Sequence, residues 1–478
     1  MKHERKSGVL LHITSLPGNY SSGSFGEEAR AFVDLLSEAG FSYWQTLPFC
    51  MPDRYHSPYA SYGAFSGNPN FIDLPALFED GLLTRDELRS AVQTTPYLAE
   101  FDRLSETRVP LLRRAAKRFD DRKTLDAFLS ENSRIADFCA FMARREYHGG
   151  APWSTWQDDL YDENAFYEWA FIQYRFYKDF EGLKSYAKKK NVLLMGDLPI
   201  YVAHDSADVY TERESFQLRP DGMPRRVAGV PPDAFAEDGQ LWGNPLYDWK
   251  AMQKSGYRFF CDRMRHTLSM FDGVRLDHFR GFESYFSISA EETTARNGKW
   301  VKGPGRKLVS LLREIAGDRL VVAEDLGVAT TAVEDLVLYS GFAGMRVLQF
   351  GFEGDGDSVH KPYAYSENTV AYTGTHDNNT LLGYLFEASP DVRARMGKYF
   401  GVPGDDIAAL HTAAIRAVLM SHSKLCILPI QDILGFGADT RMNTPGRAEG
   451  NWGYRVTEAQ LASIDRGAFY ELNRIYGR

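Results

Sequence analysis

Short apolar segments alternate with amphipathic segments along most of the chain. The apolar segments are rich in β-branched residues and end in glycine, proline or an acid, whereas the amphipathic segments repeat apolar residues at helical spacing. The first amphipathic segment places its apolar face and its terminal glycine at Ala29, Phe32, Val33, Leu36 and Gly40. This alternation predicts repeated strand–helix units, which build a parallel sheet.

Eight of the apolar segments have the length of a strand, and eight parallel strands can close a barrel. These segments are residues 8–13, 43–47, 192–197, 273–277, 320–324, 345–350, 370–375 and 424–429. We therefore predict the fold class α/β, as a (β/α)8 TIM barrel with helical and irregular insertions over its C-terminal face.

Two connections in this pattern are much longer than simple loops. Residues 79–150, after the second predicted strand, are charged and helical in pattern, so we expect a helical insertion there. Residues 202–250, after the third, are rich in Gly, Pro and Asp with aromatic residues between them, so we expect a loop-rich insertion that covers the active site. The whole chain, 1–478, then forms one catalytic barrel domain.

Composition and charge narrow the function. The chain has 55 basic and 64 acidic side chains and a formal net charge of −9, and no basic stripe with interleaved aromatic residues is present in the sequence. A nucleic acid or another polyanion is therefore disfavoured as a partner, and a neutral substrate fits better. The sequence does not indicate an oligomeric state.

Cysteine spacing and hydropathy favour a cytoplasmic protein. Cys50, Cys139, Cys261 and Cys426 are scattered singly, without the CxxC spacing of a zinc site or the framework of a disulfide-rich fold. The N-terminal sequence MKHERKSGVLLH lacks the apolar region of a signal peptide, and no segment approaches the roughly 18 apolar residues of a membrane span. We expect free thiols, no membrane association and no metal.

Acidic residues follow several predicted strands at the end where barrel enzymes place their active sites. The stretch FDGVRLDHFRGFESYF, residues 271–286, sets one of these acids between two arginines and a histidine. The strand-end acids are Asp197, Asp277, Glu324, Asp325 and Asp377. A single Asp–Arg pair is usually structural, but carboxylates at the ends of four strands predict a shared site. Spacing alone leaves Glu324 and Asp325 open, because neighbouring residues on a strand face opposite ways.

Longer motifs extend this pattern to a known family. The motifs SPYASYGAFSGNP, GVPPDAFAEDGQLWGNPLYDW, GVRLDHFRG, AEDLG, GTHDNNT and RMNTPG together resemble those of the 4-α-glucanotransferases, called amylomaltases or disproportionating enzymes, of glycoside hydrolase family 77 in the α-amylase superfamily. The resemblance covers essentially the entire chain. It implies an enzyme without a cofactor that transfers segments of α-1,4-glucans between maltooligosaccharides, to the 4-OH of an acceptor, through a covalent glycosyl-enzyme with retention.

The resemblance also implies roles for the acids. Asp277 matches the nucleophile, Glu324 the general acid/base, and Asp377 the carboxylate that holds sugar hydroxyls in the transition state. It thereby selects Glu324 over Asp325. Because an apolar run precedes Glu324 and other anions lie near it, we expect its pKa to be raised. Arg275, one strand period before Asp277, is expected to pair with that carboxylate.

Further residues match the substrate-binding positions of the family: Tyr59, Asp197, Asp233, Trp242, Arg275, His278, His376 and Asn443. The two histidines are expected to hydrogen-bond the donor sugar, and Asp233 and Asn443 to bond hydroxyl groups. Tyr59 and Trp242 offer flat faces for sugar rings, although packing within an irregular loop is the alternative. For Asp197, a supporting role beside Tyr201 and His204 and a contact with substrate remain equally open.

Two other functions are alternatives to the glucan transfer that the resemblance implies. An α-glucan hydrolase would use the same acids but let water capture the intermediate. A glucan-binding protein with an inactive barrel would not need them, and the presence of all three acids disfavours it. Donor length, acceptor preference and cyclic products are left open by the sequence.

Overall fold

The computed structural model describes residues 5–232, 237–327, 330–354, 356–447 and 449–478. The strands within these residues, in chain order, are β1 Lys6–Leu10, β2 Tyr43–Gln45, β3 Leu193–Leu198, β4 Arg226–Val230, β5 Gln240–Pro245, β6 Gly273–Leu276, β7 Ser284–Ser289, β8 Lys299–Lys302, β9 Leu320–Ala323, β10 Ala343–Val347, β11 Thr369–Tyr372 and β12 Leu425–Pro429. Eight of them are parallel and close a barrel in the order β1-β12-β11-β10-β9-β6-β3-β2.

The predicted (β/α)8 fold is confirmed, and each of the eight predicted segments contributes one barrel strand. The ends of the strands differ from the prediction. The first was predicted to run to residue 13, but it ends at Leu10, and the N–H of Ser15 then donates to the carbonyl of His12 in a tight turn. Ile13 remains buried in that turn. The apolar pattern indicates which residues are buried, and buried residues continue beyond the last residue that is hydrogen-bonded to a neighbouring strand. The pattern therefore predicts a strand that is too long.

Helices surround the barrel and fill the long connection between β2 and β3. Their bounds are α1 Glu27–Glu38, α2 Leu74–Glu79, α3 Arg85–Ser90, α4 Phe101–Arg118, α5 Arg122–Glu131, α6 Ser133–Tyr147, α7 Glu163–Lys189, α8 Ala207–Thr211, α9 Trp249–Lys254, α10 Arg258–Met270, α11 Arg306–Ala316, α12 Thr331–Ser340, α13 Leu381–Glu387, α14 Pro390–Phe400, α15 Ile407–Met420, α16 Ile430–Leu434, α17 Glu458–Ala462 and α18 Arg466–Ile475.

Local sequence explains why these helices begin where they do. Thr84 and Glu87 form a capping box at the start of α3, and Asp162 accepts the N–H of Asn164 at the start of α7. None of the helices in the described ranges combines the length and the apolar character required to cross a lipid bilayer. The division of the chain into one domain with insertions at 79–150 and 202–250 stays a prediction.

A second, antiparallel sheet in the order β5-β4-β7-β8 includes part of the segment between β3 and β6. Its strands β4 and β5 approach closely at Gly229 of β4, where a Cβ atom would lie 2.2 Å from the carbonyl oxygen of Gln240 of β5. Only glycine fits this position without a shift of β5. The pairing therefore fixes the position of β5, which includes Trp242.

The barrel interior contains hydrogen bonds as well as apolar side chains. The hydroxyl of Tyr372 on β11 donates to Gln45 on β2 over 2.9 Å, and both side chains are buried. Because β11 and β2 are not neighbours in the barrel, this bond crosses its interior. Buried polar groups need such partners, and the bond ties together two strands that β1 and β12 separate in the barrel.

Candidate active site

The acids predicted from the strand ends meet at one end of the barrel. The N–H of Asp277 donates to Leu198 at the end of β3, and the N–H of Glu324 donates to Leu276 at the end of β6. These bonds continue the strand ladder by one residue and thereby fix both backbones. Asp277, Glu324 and Asp377 line a cleft of about 1770 Å³, which includes space open to solvent.

Arg275 connects the acids. Its side chain is only 4% exposed, and its Nη1 donates to Oδ2 of Asp197 over 2.6 Å. Its Nη2 lies 3.3 Å from Oδ1 of Asp277 and 3.5 Å from Oε2 of Glu324. Burial alone would lower the pKa of the guanidinium, but the surrounding carboxylates and Tyr59 hold it well above its usual range. Arg275 is therefore a permanent positive charge between three carboxyl groups.

Glu324 is held in an environment that favours its protonated form. Burial, together with the negative charges of Asp277 and Asp377, raises the pKa of its carboxyl to about 8, against the opposing effects of Arg275 and of the N–H of His278. The side chain is 15% exposed and still faces the cleft. A carboxyl group with this pKa can donate a proton near neutral pH.

Asp325 lies outside the cleft. Its Oδ1 accepts the N–H of Met345 over 2.7 Å, and its Oδ2 lies 3.3 Å from Nη1 of Arg346. It therefore connects β9 to β10, whereas its neighbour Glu324 lines the cleft. Of the two acids that strand spacing left open, Glu324 lines the cleft and Asp325 does not.

Asp377 is positioned by the loops that follow β11 and precede α17. The side-chain amide of Asn443 donates to Oδ1 of Asp377 over 2.6 Å. The backbone N–H of Asn443 donates to the backbone carbonyl of His376. Nε2 of His376 lies 3.3 Å from Oδ2 of Asp377. Burial lowers the pKa of His376, so a neutral imidazole is within hydrogen-bonding reach of this carboxylate. Asp377 itself is 41% exposed and faces the cleft.

Aromatic rings flank the acids on two sides. Tyr59 stacks on His376 with ring centroids 5.3 Å apart and planes 12° apart, and its hydroxyl donates to Oδ2 of Asp197 over 2.8 Å. On the other side, Trp242 meets the ring of His278 edge-on at 5.0 Å. Trp242 is 37% exposed, so a broad apolar surface lines the cleft beside Asp277.

Comparison with known proteins identifies the family. A family model described as 4-alpha-glucanotransferase matches residues 11–461. The chain belongs to the 4-alpha-glucanotransferase family. A 4-alpha-glucanotransferase of Streptococcus pneumoniae serotype 4 is 40% identical over 497 aligned residues, which cover 99% of this chain and 98% of the relative. That of Clostridium butyricum is 37% identical and covers 98% of this chain and 100% of the relative.

Solved structures agree with this assignment. The amylomaltase from Streptococcus agalactiae in complex with acarbose is 36% identical, with a TM-score of 0.95 and coverage of 99% of this chain and 100% of that chain. The amylomaltase from Corynebacterium glutamicum is 19% identical, with a TM-score of 0.82 over 99% of this chain and 75% of that chain, and it supports the fold alone. The predicted family and transferase class are confirmed.

In this member of the 4-alpha-glucanotransferase family, the cleft brings together most of the predicted site residues. Those that line it are Tyr59, Trp242, Arg275, Asp277, His278, Glu324, His376, Asp377 and Asn443. Asp233 lies outside the described residues. Asp197 does not line the cleft, and its side chain is fully buried. Its hydrogen-bond partners are Tyr59 and Arg275, which favours the supporting role over a contact with substrate.

Sequence reasoning missed several cleft residues, of which Trp452 is the most informative. It lies six residues after the last glycine of the RMNTPG motif, and its ring is near both Tyr59 and His376. An aromatic residue between Gly450 and Gly453 in an otherwise polar loop was the available signal. Within the residues that the structure describes, no group of three or more His, Cys, Asp and Glu side chains could hold a metal ion.

Proposed function

We propose that the chain transfers α-1,4-glucan segments between maltooligosaccharides by a retaining double displacement through a covalent glycosyl-enzyme. Asp277 is the nucleophile, Glu324 is the general acid/base, and Asp377 bonds sugar hydroxyls in the transition state. The observation that supports this most directly is that one nitrogen, Nη2 of Arg275, lies 3.3 Å from Asp277 and 3.5 Å from Glu324.

This shared contact limits the distance between the two carboxyl groups. Two oxygens that both lie within 3.5 Å of one nitrogen are separated by no more than twice that distance. Retaining enzymes hold their carboxyl groups about 5–5.5 Å apart, and inverting enzymes hold them about 6.5–9.5 Å apart to leave room for water. For these two oxygens the limit admits the retaining separation and lies at the lower end of the inverting range.

In the first step, the carboxylate of Asp277 attacks the anomeric carbon of the donor and the glycosidic bond breaks. Glu324 gives its proton to the departing oxygen, so the shortened glucan leaves with a free 4-OH. The raised pKa of Glu324, about 8 because of burial and neighbouring negative charge, keeps this proton available. Arg275 pairs with the carboxylate of Asp277 before the attack.

In the second step, the acceptor's 4-OH attacks the anomeric carbon and releases Asp277 as a carboxylate. Glu324, now ionised, accepts the hydroxyl proton and regains its starting form. Asp377, held by Asn443 and 41% exposed, faces the cleft with one oxygen that can bond sugar hydroxyls. Retention follows from the two successive inversions at the same carbon.

The α-glucan substrate is supported by the shape and the lining of the cleft. The aromatic rings of Tyr59 and Trp242 line the same cleft as the three acids, and this combination suits a chain of sugars, which present apolar faces and hydroxyl edges. A cytoplasmic location also remains our proposal, and it is supported by four cysteines that are all free thiols, three of them buried.

Incubation with maltotriose alone tests the proposed reaction. We expect a ladder of longer oligosaccharides together with glucose, because each transferred segment lengthens one molecule and shortens another. Product analysis by chromatography distinguishes the alternatives. A hydrolase would give only shorter sugars, with one new reducing end for each bond broken, and a binding protein would leave maltotriose unchanged.

Replacement of Trp242 by Ala tests the apolar surface beside Asp277. The indole is 37% exposed and lines the cleft, so we expect its removal to weaken oligosaccharide binding by about 1–3 kcal/mol. We also expect more intermediates to be captured by water. The measurement is the ratio of reducing ends formed to glucosyl units transferred, at matched conversion of maltotriose.

Trp300→Ala is the matched control, because this tryptophan is similarly exposed, at 40%, but lies on the edge strand β8 outside the cleft lining. The control should behave as the parent does. Unchanged affinity and an unchanged ratio in Trp242→Ala would show that this ring only packs within its loop.

A further inference from the structure

Trp452 has a backbone conformation that tryptophan rarely adopts. Its φ angle is +67°, in the left-handed region that favours glycine, and its side chain is only 6% exposed. Such a conformation persists only where surrounding contacts hold it in place. Trp452 and His278 are the two described non-glycine residues with positive φ that line the catalytic cleft.

The loop around Trp452 is held by backbone and side-chain hydrogen bonds. The N–H of Trp452 donates to the carbonyl of Met442 over 2.7 Å. Asn451 accepts the N–H of Thr444 over 2.9 Å and donates its amide N–H to the carbonyl of Arg447 over 2.8 Å. These bonds close the loop on itself and keep the indole directed at the two rings described next.

The indole lies against two rings that each contact a carboxylate of the site. Its centroid is 6.0 Å from that of Tyr59 and 6.1 Å from that of His376. The hydroxyl of Tyr59 donates to Asp197 over 2.8 Å, and Nε2 of His376 lies 3.3 Å from Asp377. The backbone partner of Trp452, Met442, directly precedes Asn443 in the chain.

We infer that Trp452 is a positioning residue for glucan transfer, whose ring holds Tyr59 and His376 in place and through them orients Asp197 and Asp377. The inference rests on the proposed role of Asp377. No hydrogen bond joins Trp452 to an acid in the described part of the chain, so its effect passes through the two rings. Displacement of a catalytic group by about 1 Å can cost about 100-fold in rate.

Two substitutions separate the ring from the backbone conformation. Trp452→Gly keeps the left-handed backbone, which glycine adopts freely, but removes the ring. Trp452→Phe keeps a ring but retains the strain. We expect the glycine variant to lose roughly 10- to 100-fold in kcat on maltotriose with a much smaller change in KM, and the phenylalanine variant to recover most of this loss.

The pH profile of kcat gives a readout that loss of stability alone would not change. Burial lowers the pKa of His376, and Asp377, Arg275, Asp277, His12 and Tyr59 surround this ring. Removal of the indole admits water, so we expect the pKa of His376 to rise and the acidic limb of the profile to move to higher pH in the glycine variant. The phenylalanine variant should keep the parental limb.

Trp300→Gly and Trp300→Phe on β8 are the controls, and both should keep the parental kcat. Thermal melting monitors the fold, and Trp452→Asn replaces Trp452→Gly if the latter does not fold, since Asn also adopts positive φ. The inference is overturned if every Trp452 variant keeps the parental kcat, or if the Phe and Gly variants lose kcat equally. A change in KM without a change in kcat would also overturn it. Absence of a maltotriose ladder in the parent would instead overturn the proposed function.

Discussion

Replacement of Asp277 by Asn should reduce turnover of maltotriose by several orders of magnitude while glucan binding is kept. The amide cannot form the glycosyl ester, so the covalent route is lost. The fold should be retained, because the N–H of Asp277 that bonds Leu198 is in the backbone and Asn has nearly the same volume. Initial rates and equilibrium binding of maltotriose are the two measurements.

A mass measurement makes this prediction specific to the nucleophile. Parent enzyme quenched in acid during turnover should contain a fraction with the added mass of a glycosyl group, and the Asn variant should contain none. Asp325→Asn is the matched control, since Asp325 is also a strand-end carboxylate but bonds Met345 and Arg346 outside the cleft. Rates near the parental value in Asp277→Asn would contradict a covalent mechanism.

Replacement of Glu324 by Gln should lower the rate on maltotriose by about 10²–10⁴-fold, the usual contribution of general acid catalysis. A donor whose leaving group needs no proton, such as an α-maltosyl fluoride, should still form the glycosyl-enzyme in this variant. The same donor should fail with Asp277→Asn. Equal losses on both donors in Glu324→Gln would exclude the assigned role in proton donation.

The same variant has an expected effect on stability. The folded pKa of Glu324, about 8, lies above the usual value of 4.5 because of burial. Below the usual pKa the carboxyl is protonated in both states. As the pH rises toward about 8, the unfolded state loses this proton while the folded state keeps it, so the free energy of unfolding falls. Gln cannot ionise and should not show this loss.

Thermal melting at several pH values measures this effect as a difference. The melting temperature of the parent minus that of Glu324→Gln should fall between about pH 5 and pH 8 and level off above that range. The difference cancels the titration of groups common to both proteins. A difference that does not change with pH would show that the carboxyl titrates normally in the folded state.

The barrel and its acids could be predicted because both depend on local patterns. Burial leaves an apolar segment in the sequence, and a carboxylate next to it marks the end of the strand. The residue at which each strand ends was harder to predict from the sequence. Ile13 and Thr375 are buried after their strands have ended, and only hydrogen bonds to neighbouring strands distinguish them from strand residues.

Contacts between segments that are distant in the chain could not be predicted from local sequence patterns. Tyr59 bonds Asp197 across 138 positions, and nothing in either local sequence specifies the other as its partner. The positive φ angle of Trp452 could not be predicted either, since it depends on a hydrogen bond to Met442 and on the rings of Tyr59 and His376.

The position of Arg275 also bears on how charge moves during the proposed cycle. In the free enzyme Asp277 is anionic and Glu324 is neutral, whereas in the glycosyl-enzyme Asp277 is an ester and Glu324 is anionic. One negative charge thus passes from one side of Nη2 to the other, over contacts of 3.3 and 3.5 Å. The buried guanidinium already contacts both carboxyl groups, so in the proposed cycle its positive charge is in place for either location of the negative charge.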